Sequence, residues 1–288
     1  MGRADAQSRA PEVLRAAGLG AAFGAGTVME PDLVLPEPSS ERARGSGLLN
    51  ERALLRMIET LRARVGSSLS RGRFPFVFGA DCSVLLAAVP ALRELVREPG
   101  LLFLDAHEDA TPLHLSPDGE VANMEIALLL GLDGERAARA LPVRLPALLP
   151  AAIAMLGPRD GGHRRPLNIP TVADRVWLRT PDDLSADPAG AAIEAVEHIT
   201  SSTFGWWLHT DLDVLARAEF AACGAPGEAL LPGGLTWLQL TEIVSTALRA
   251  GGCRGWSLAV YNPDLDPDGS AAVRIVEFVT EVARRCGL

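Results

Sequence analysis

The chain of 288 residues is 48% hydrophobic and 22% charged, which suits a large globular domain and excludes a disordered or fibrous chain. Its formal charge is −9 and no basic cluster is larger than a pair such as Arg164-Arg165, which argues against nucleic acid or an anionic membrane as partner. All 27 basic residues are arginine, so a Schiff-base lysine, a P-loop lysine and a kinase-type lysine are excluded.

Residues 1–9 are polar and expected to be disordered. Residues 11–18 read as a short helix with Pro11 near its start. Pro, Ser and Gly predict a loop over about 36–47. Asn50 is placed to cap a helix running to about 69, with Leu54, Ile58 and Leu61 on one face. Residues 74–78 predict a strand that ends in Gly79-Ala-Asp-Cys-Ser83, followed by an apolar helix over about 84–96. The run Leu101-Leu-Phe-Leu-Asp-Ala-His-Glu-Asp109 opens as a short apolar segment after Pro99-Gly100, which predicts a buried strand of a parallel sheet. A loop over 111–119, broken by Pro112 and Pro117, leads to a buried helix over 124–130. Short strands are predicted at 153–157 and 176–178, and a helix at about 191–200. The run Trp206-Trp-Leu-His-Thr-Asp-Leu-Asp213 is again an apolar strand, over 205–212. Helices at about 237–249 and 271–285 flank a last strand at 255–261 and a turn-rich loop at 262–269. Strand and helix alternate without a repeat, so the predicted fold class is α/β with a mostly parallel sheet.

No run of about 18 apolar residues and no secretory start is visible, so a soluble cytoplasmic protein is expected. Cys82, Cys223, Cys253 and Cys286 are widely spaced, which argues against a zinc ribbon or a redox pair.

Two strands carry the chemistry. Asp105, His107 and Asp109 fall at the carboxyl end of the first, where ligands bind in open α/β sheets, and share one side if the chain stays extended. His209, Asp211 and Asp213 alternate along the second and share one of its faces. Buried acids of this kind cost several kcal/mol per uncompensated ion, and a divalent cation removes that cost. Carboxylates with imidazole suit manganese or zinc. The bland alternative is a helix start with surface acids.

The runs Gly79-Ala-Asp-Cys-Ser83, Asp105-Ala-His-Glu-Asp109 and Thr210-Asp-Leu-Asp213 together resemble the arginase/agmatinase/formiminoglutamase (ureohydrolase) family. That family's pattern, in this order, is Gly-Gly-Asp-His-Ser, Asp-Ala-His-x-Asp and Ser-x-Asp-x-Asp. The resemblance covers roughly residues 74–285. It implies a single-domain three-layer α/β/α sandwich over 1–288 and a metal site of two manganese ions sharing a hydroxide. In that scheme Asp105 and Asp211 bridge the ions, His107 and Asp213 complete one, and Asp109 with Cys82 complete the other. The activity implied is hydrolysis of a C–N bond in a small guanidine, amidine or amide. Members usually carry an N-terminal strand that is not visible here, and they commonly form homo-oligomers.

Three departures bear on this. Cys82 stands where the family usually has His; its thiolate opens zinc or iron as alternatives to manganese, and the plain alternative is a buried small hydrophobe. Val260-Tyr-Asn-Pro263 aligns with Glu-Val-Asn-Pro, so the carboxylate that grips a guanidinium is missing. Tyr261 is then a core tyrosine or a hydroxyl donor, and Asp264, Asp266 and Asp268 are a solvated turn or substitutes for the lost Glu. Ala122-Asn123 occupies the place of a His-Gly pair whose His shuttles protons. Asp109, His209 and Glu108 are therefore the catalytic candidates, with His114 and Glu125 as further substitutes. His163 sits in a glycine loop and either borders the pocket or is exposed, and His198 is expected at the surface of a helix. The rival function is a diverged binding or regulatory protein that keeps the fold.

Overall fold

The four apolar residues before Asp105 are fully buried, and their alternation divides the core. Leu101 and Phe103 join one hydrophobic cluster, Leu102 and Leu104 the other. Both faces of that strand are therefore covered, which explains why it reads as a continuous apolar run. The computed structural model describes residues 6–132, 135–224 and 231–288. In chain order the elements are α1 (Ala10–Ala16), α2 (Glu51–Ser70), β1 (Phe76–Gly79), α3 (Leu85–Arg93), β2 (Gly100–Leu104), α4 (Glu125–Leu130), α5 (Glu135–Ala140) and β3 (Ile153–Leu156). Then come α6 (Gly161–Arg164), β4 (Trp177–Arg179), α7 (Pro181–Ser185), α8 (Pro188–Thr200), β5 (Trp206–Asp211), α9 (Trp237–Ala250), β6 (Cys253–Ala259) and α10 (Ser270–Cys286).

The sheet order is β1-β6-β5-β2-β3-β4, and every pairing is parallel. Residues of α2, α3 and α4 pack on one face, and those of α1, α8, α9 and α10 on the other. This is the predicted three-layer α/β/α sandwich. From β2 the chain moves outward to β3 and β4, then returns to place β5 on the opposite side of β2. Strand order reverses between β2 and β5, and a cleft opens at the carboxyl ends of strands at such a point. β1 lies at the sheet edge beside β6.

Several local expectations need correction. Asn50 does not cap α2: it sits in the left-handed region at φ 51°, and its Oδ1 accepts from Ser39 N at 3.0 Å. The expected disorder over 1–9 lies partly outside the described residues, while Ala6–Arg9 form a 3-10 turn leading into α1. The last strand stops at Ala259, and Val260 follows at φ 65°, an unfavourable conformation for a β-branched residue. His198 is half-buried rather than at the surface, with its ring stacked at 6.0 Å from Trp177, and burial lowers its pKa.

Tyr261 is the core tyrosine, and Asp266 is its partner. The phenol donates to Asp266 Oδ2 at 2.7 Å, while Ala271 N and Ala272 N at the start of α10 donate to the same carboxylate at 3.0 and 2.9 Å. Asp266→Ala strands all three donors, two of them in buried residues. We expect a loss of about 1–3 kcal/mol, read as a lower urea midpoint with unchanged slope, whereas Asp266→Asn retains part of the stability.

Candidate metal centre

Parallel register sets the first distances. Leu104 pairs with Thr210, so Asp105 and Asp211 come level as the chain leaves β2 and completes β5. Neither acid motif works by simple alternation, as the extended-chain expectation had it. β2 ends at Leu104, and residues 105–109 turn out of the sheet; Asp211 closes β5, while Asp213 lies in the 3-10 turn Leu212–Val214. Each turn is fixed by its own acid. Asp105 Oδ1 accepts from His107 N at 2.7 Å, and Asp211 Oδ1 accepts from Asp213 N at 2.7 Å. Asp213 Oδ1 in turn accepts from Ala106 N at 3.0 Å, joining the two turns.

The third contributor follows β1. Gly79 has no room for a side chain, since a Cβ there would lie 2.5 Å from Val84 Cγ1. This close approach swings Cys82 into the cleft on the 3-10 turn Cys82–Val84, capped by Asp81 through Ser83 N at 3.0 Å. The Cys82 thiol donates to Asp211 Oδ2 at 2.9 Å and faces Asp105 Oδ2 at 3.7 Å. The fourth contributor is Glu125, at the start of α4. Ile126 N donates to Asp109 O at 3.0 Å and Thr111 N to Asn123 O at 2.9 Å, so the long loop folds back and sets Glu125 against Asp109.

Three groups of ligand-type atoms result, each lying within 4.8 Å of one another: Asp105, His107 and Asp213; Cys82, Asp109 and Glu125; Cys82, Asp105 and His209. Asp105, Glu125 and His209 have no exposed surface. Burial, then the neighbouring acids, pushes Asp105, Asp109 and Asp211 well above the usual carboxylate range. Glu125 is raised likewise, chiefly by burial. Burial and the surrounding carboxylates also raise the Cys82 thiol. Burial opposes ionisation of Asp213 too, but the His107 imidazolium, 3.0 Å away, overrides it and holds the acid at about 2. The reciprocal pull raises His107 against its own burial. His209 goes the other way: burial lowers it to about 3, so its ring is neutral.

Two buried groups of the cleft stand out among the described residues: His209 Nε2 has no hydrogen-bond partner, and the Glu125 carboxyl has only the neighbouring acid Asp109 to share a proton with. A cleft of raised acids with an orphaned buried lone pair is a donor set that fits divalent cations.

Glu108 belongs elsewhere, which corrects its place among the catalytic candidates. Its carboxylate accepts from Val172 N at 2.7 Å and Thr171 Oγ1 at 2.9 Å and pairs with Arg164, so it anchors the loop after β3. His114 and His163 are exposed. Asp264 pairs with Arg9, and Asp268 accepts from Ser270 N at 3.0 Å, so with Asp266 under Tyr261 none of the three is turned toward Val260. Arg159 was not singled out in the sequence. Its guanidinium donates to the carbonyls of Asp213, Val214 and Leu215 at 2.7, 3.2 and 3.1 Å, and its backbone N–H donates to Ala106 O. It thereby ties the turns after β2, β3 and β5 together.

The sequence profile of the arginase family matches residues 8–283. The chain belongs to the arginase family. It is 29% identical over 229 residues to an arginase of Brevibacillus brevis, covering 78% of this chain and 73% of that one. It is 26% identical over 250 residues to an arginase of Bacillus caldovelox, covering 83% and 79%. A crystal structure of arginase from Bacillus subtilis superimposes with a TM-score of 0.81 at 22% identity, over 96% of this chain and 91% of that one. Formimidoylglutamase from the same species follows with a TM-score of 0.69 at 18% identity, over 98% and 81%. Among the described residues no helix is long and apolar enough to cross a membrane.

Set against the arginase-family pattern, the cleft has exchanged residues. Position 82 carries a thiol in place of an imidazole, while position 209, the Ser of Ser-x-Asp-x-Asp, carries an imidazole. Ala122-Asn123 occupies the place of the usual His-Gly pair, and Glu125 follows two residues later.

The raised acids give a pH signature. A carboxylate whose folded pKa exceeds its ordinary 3.8 or 4.5 binds more protons folded than unfolded, so it costs stability as pH rises above those values. A bound cation displaces those protons, so its stabilisation grows with pH. We expect the melting temperature without metal to fall from about pH 5 to pH 8 and the gain from saturating manganese to widen over the same range. A gain independent of pH in thermal melts would remove these acids from the metal site.

Proposed function

We propose that the chain is a metal-dependent hydrolase of the ureohydrolase type, cleaving a C–N bond of a small guanidine, amidine or amide. The observation that carries this reading is the convergence of Cys82, Asp105, His107, Asp109, Asp211 and Asp213 in the turns at the carboxyl ends of the parallel strands β1, β2 and β5. In this reading Asp105 and Asp211 would be shared by a pair of divalent ions, His107 and Asp213 would hold one of them, and Cys82 and Asp109 the other. Oxygen and nitrogen donors favour manganese, and the thiol opens zinc or iron. Bound there, a pair of divalent ions acidifies water and stabilises negative charge developing on the substrate.

The chain's own groups do the rest. His107 is the ligand candidate most open to solvent, its side chain 40% exposed, so it borders the entrance. Arg159 holds the three turns in register. The usual shuttle position is Ala122, Glu108 is engaged with Arg164, and His209 is enclosed. Glu125, equally buried beside Asp109, is the remaining acid of the cleft outside the proposed ligand set.

The substrate reading rests on Val260. Ala259 pairs with Asp211, so Val260 leaves the sheet beside the acids at the point where the family grips a guanidinium. An apolar side chain accepts no hydrogen bond from a planar cation, and no acid of the 264–268 loop turns there to replace it. Arginine and agmatine are therefore expected to be poor substrates, and a less basic amidine, hydroxyguanidine or amide a better one. Urea or ammonia release with saturating manganese, across both guanidines and a panel of neutral analogues, tests this. Enzyme-like turnover of arginine or agmatine with the neutral compounds inert would reverse it.

Asp211→Ala is expected to abolish both hydrolysis and retention of two ions per chain. Elemental analysis of the purified variant reads this directly. Two ions retained would sink the bridging role, and one or none in the unaltered protein would favour a binding function.

A further inference from the structure

We propose that His209 is a metal ligand, its Nε2 joining Cys82 Sγ and Asp105 on the inner side of the centre. The inference rests on the metal-dependent reading of this cleft and extends it to a residue outside the six-ligand set. His209 lies on β5 two residues before Asp211 and is fully buried. Its ring stacks on Phe103 with centroids 5.4 Å apart and planes 13° apart, which leaves the two ring nitrogens to define its role.

Nδ1 is spoken for. It lies 2.7 Å from Ser257 Oγ on the neighbouring strand β6. Ser257 Oγ also accepts from Trp207 Nε1, a donor only, at 2.9 Å, and reaches Leu208 O at 3.5 Å. A hydroxyl has one proton and two lone pairs. If the two lone pairs accept from Trp207 Nε1–H and His209 Nδ1–H, the proton is free for Leu208 O, and every member is satisfied. The opposite tautomer strands an N–H at Nε2, where no acceptor meets it. The hydrogen-bond account therefore leaves Nε2 as a bare, buried lone pair. A ring nitrogen of His209 lies within 4.8 Å of the Cys82 sulfur and an Asp105 oxygen; Nδ1 is turned to Ser257, and no described group donates to Nε2.

That is how a ligating histidine is held: one nitrogen fixed by a hydrogen bond that sets tautomer and ring angle, the other free for the ion. A packing histidine in a core has no need of a lone pair aimed at acids. The assignment also accounts for the paired exchange at positions 82 and 209. The imidazole absent from the turn after β1 is supplied across the cleft from β5, and the ion keeps nitrogen, sulfur and oxygen donors.

The test uses the full-length protein labelled with 15N-histidine and loaded with 113Cd, a probe suited to mixed sulfur, nitrogen and oxygen donors. His107→Gln and His209→Gln assign the two signals. The expected result is 113Cd–15N coupling at both residues, through Nε2 at His209. Coupling at His107 alone would overturn the ligand role of His209 and leave the metal centre standing. Cadmium absent by elemental analysis, with coupling at neither, would overturn the metal-dependent reading itself and this inference with it. Zinc titrations by equilibrium dialysis provide a second readout that needs no turnover. His209→Gln is expected to weaken binding at least tenfold, and the exposed His163→Gln to leave it unchanged. Equal affinity in His209→Gln and the unaltered protein would make His209 a packing residue.

Discussion

Like charge gathered in a buried place is the constraint on which this molecule turns. Asp105, Asp109, Asp211 and Glu125 are enclosed at one end of a parallel sheet, and burial together with their mutual repulsion pushes each of them up. Folding alone gives no reason to put them there. A hydrophobic replacement of similar volume would pack at lower cost. The scaffold instead spends specific features on holding them: a glycine at 79 with no room for a Cβ, an arginine at 159 bound to three successive carbonyls, and aspartates that stitch their own turns. The His107–Asp213 pair offsets part of the charge at the open side. Among the described residues the inner side, around Cys82 and Glu125, has no ion pair of this kind, and that is where the orphaned lone pair of His209 lies.

The parallel sheet is what makes the arrangement attainable. Every strand points its carboxyl end the same way, so turns distant in sequence arrive together. β2 and β5 bring their acids level by register. β1 reaches the cleft through the turn that carries Cys82, which bonds across to Asp211. Because the two faces of the sheet are covered by helices, the strands themselves are rigid, and side chains at their ends are held by packing as well as by hydrogen bonds.

How much of this was legible in the sequence follows from how local each feature is. The strands bearing Asp105 and Asp211 stand out because a buried strand must be apolar until it reaches the edge of the sheet, and the acids mark that edge. The alternation of strand and helix made the mostly parallel α/β class legible, while the three-layer sandwich came from the family resemblance. Glu108 was misleading because sequence neighbours of a ligand look alike; only the turn after Leu104 shows that its carboxylate points to Val172 and Arg164. Asn50 precedes a helix as a cap should, but the cap depends on backbone angle, and at φ 51° the side chain reaches Ser39 instead. Glu125 was visible as an acid but not as a member of the cluster, because its place is set by two backbone bonds that close a loop. Arg159 left no signal beyond its glycine-rich surroundings.

Val260 is the point where site and scaffold pull against each other. A β-branched residue at φ 65° is costly, and the structure over-determines it from both sides. Before it, Ala259 is held in the ladder opposite Asp211; after it, Tyr261 is buried and bonded to Asp266, which in turn fixes the start of α10. The backbone at this position is therefore set by its neighbours and not by its own side chain. A residue at 260 can change character without moving the chain, so the character of the pocket wall is free to vary while the acids beside it stay in place. Grip on the substrate and grip on the metal are in this way carried by different parts of the fold, and divergence at the first need not disturb the second.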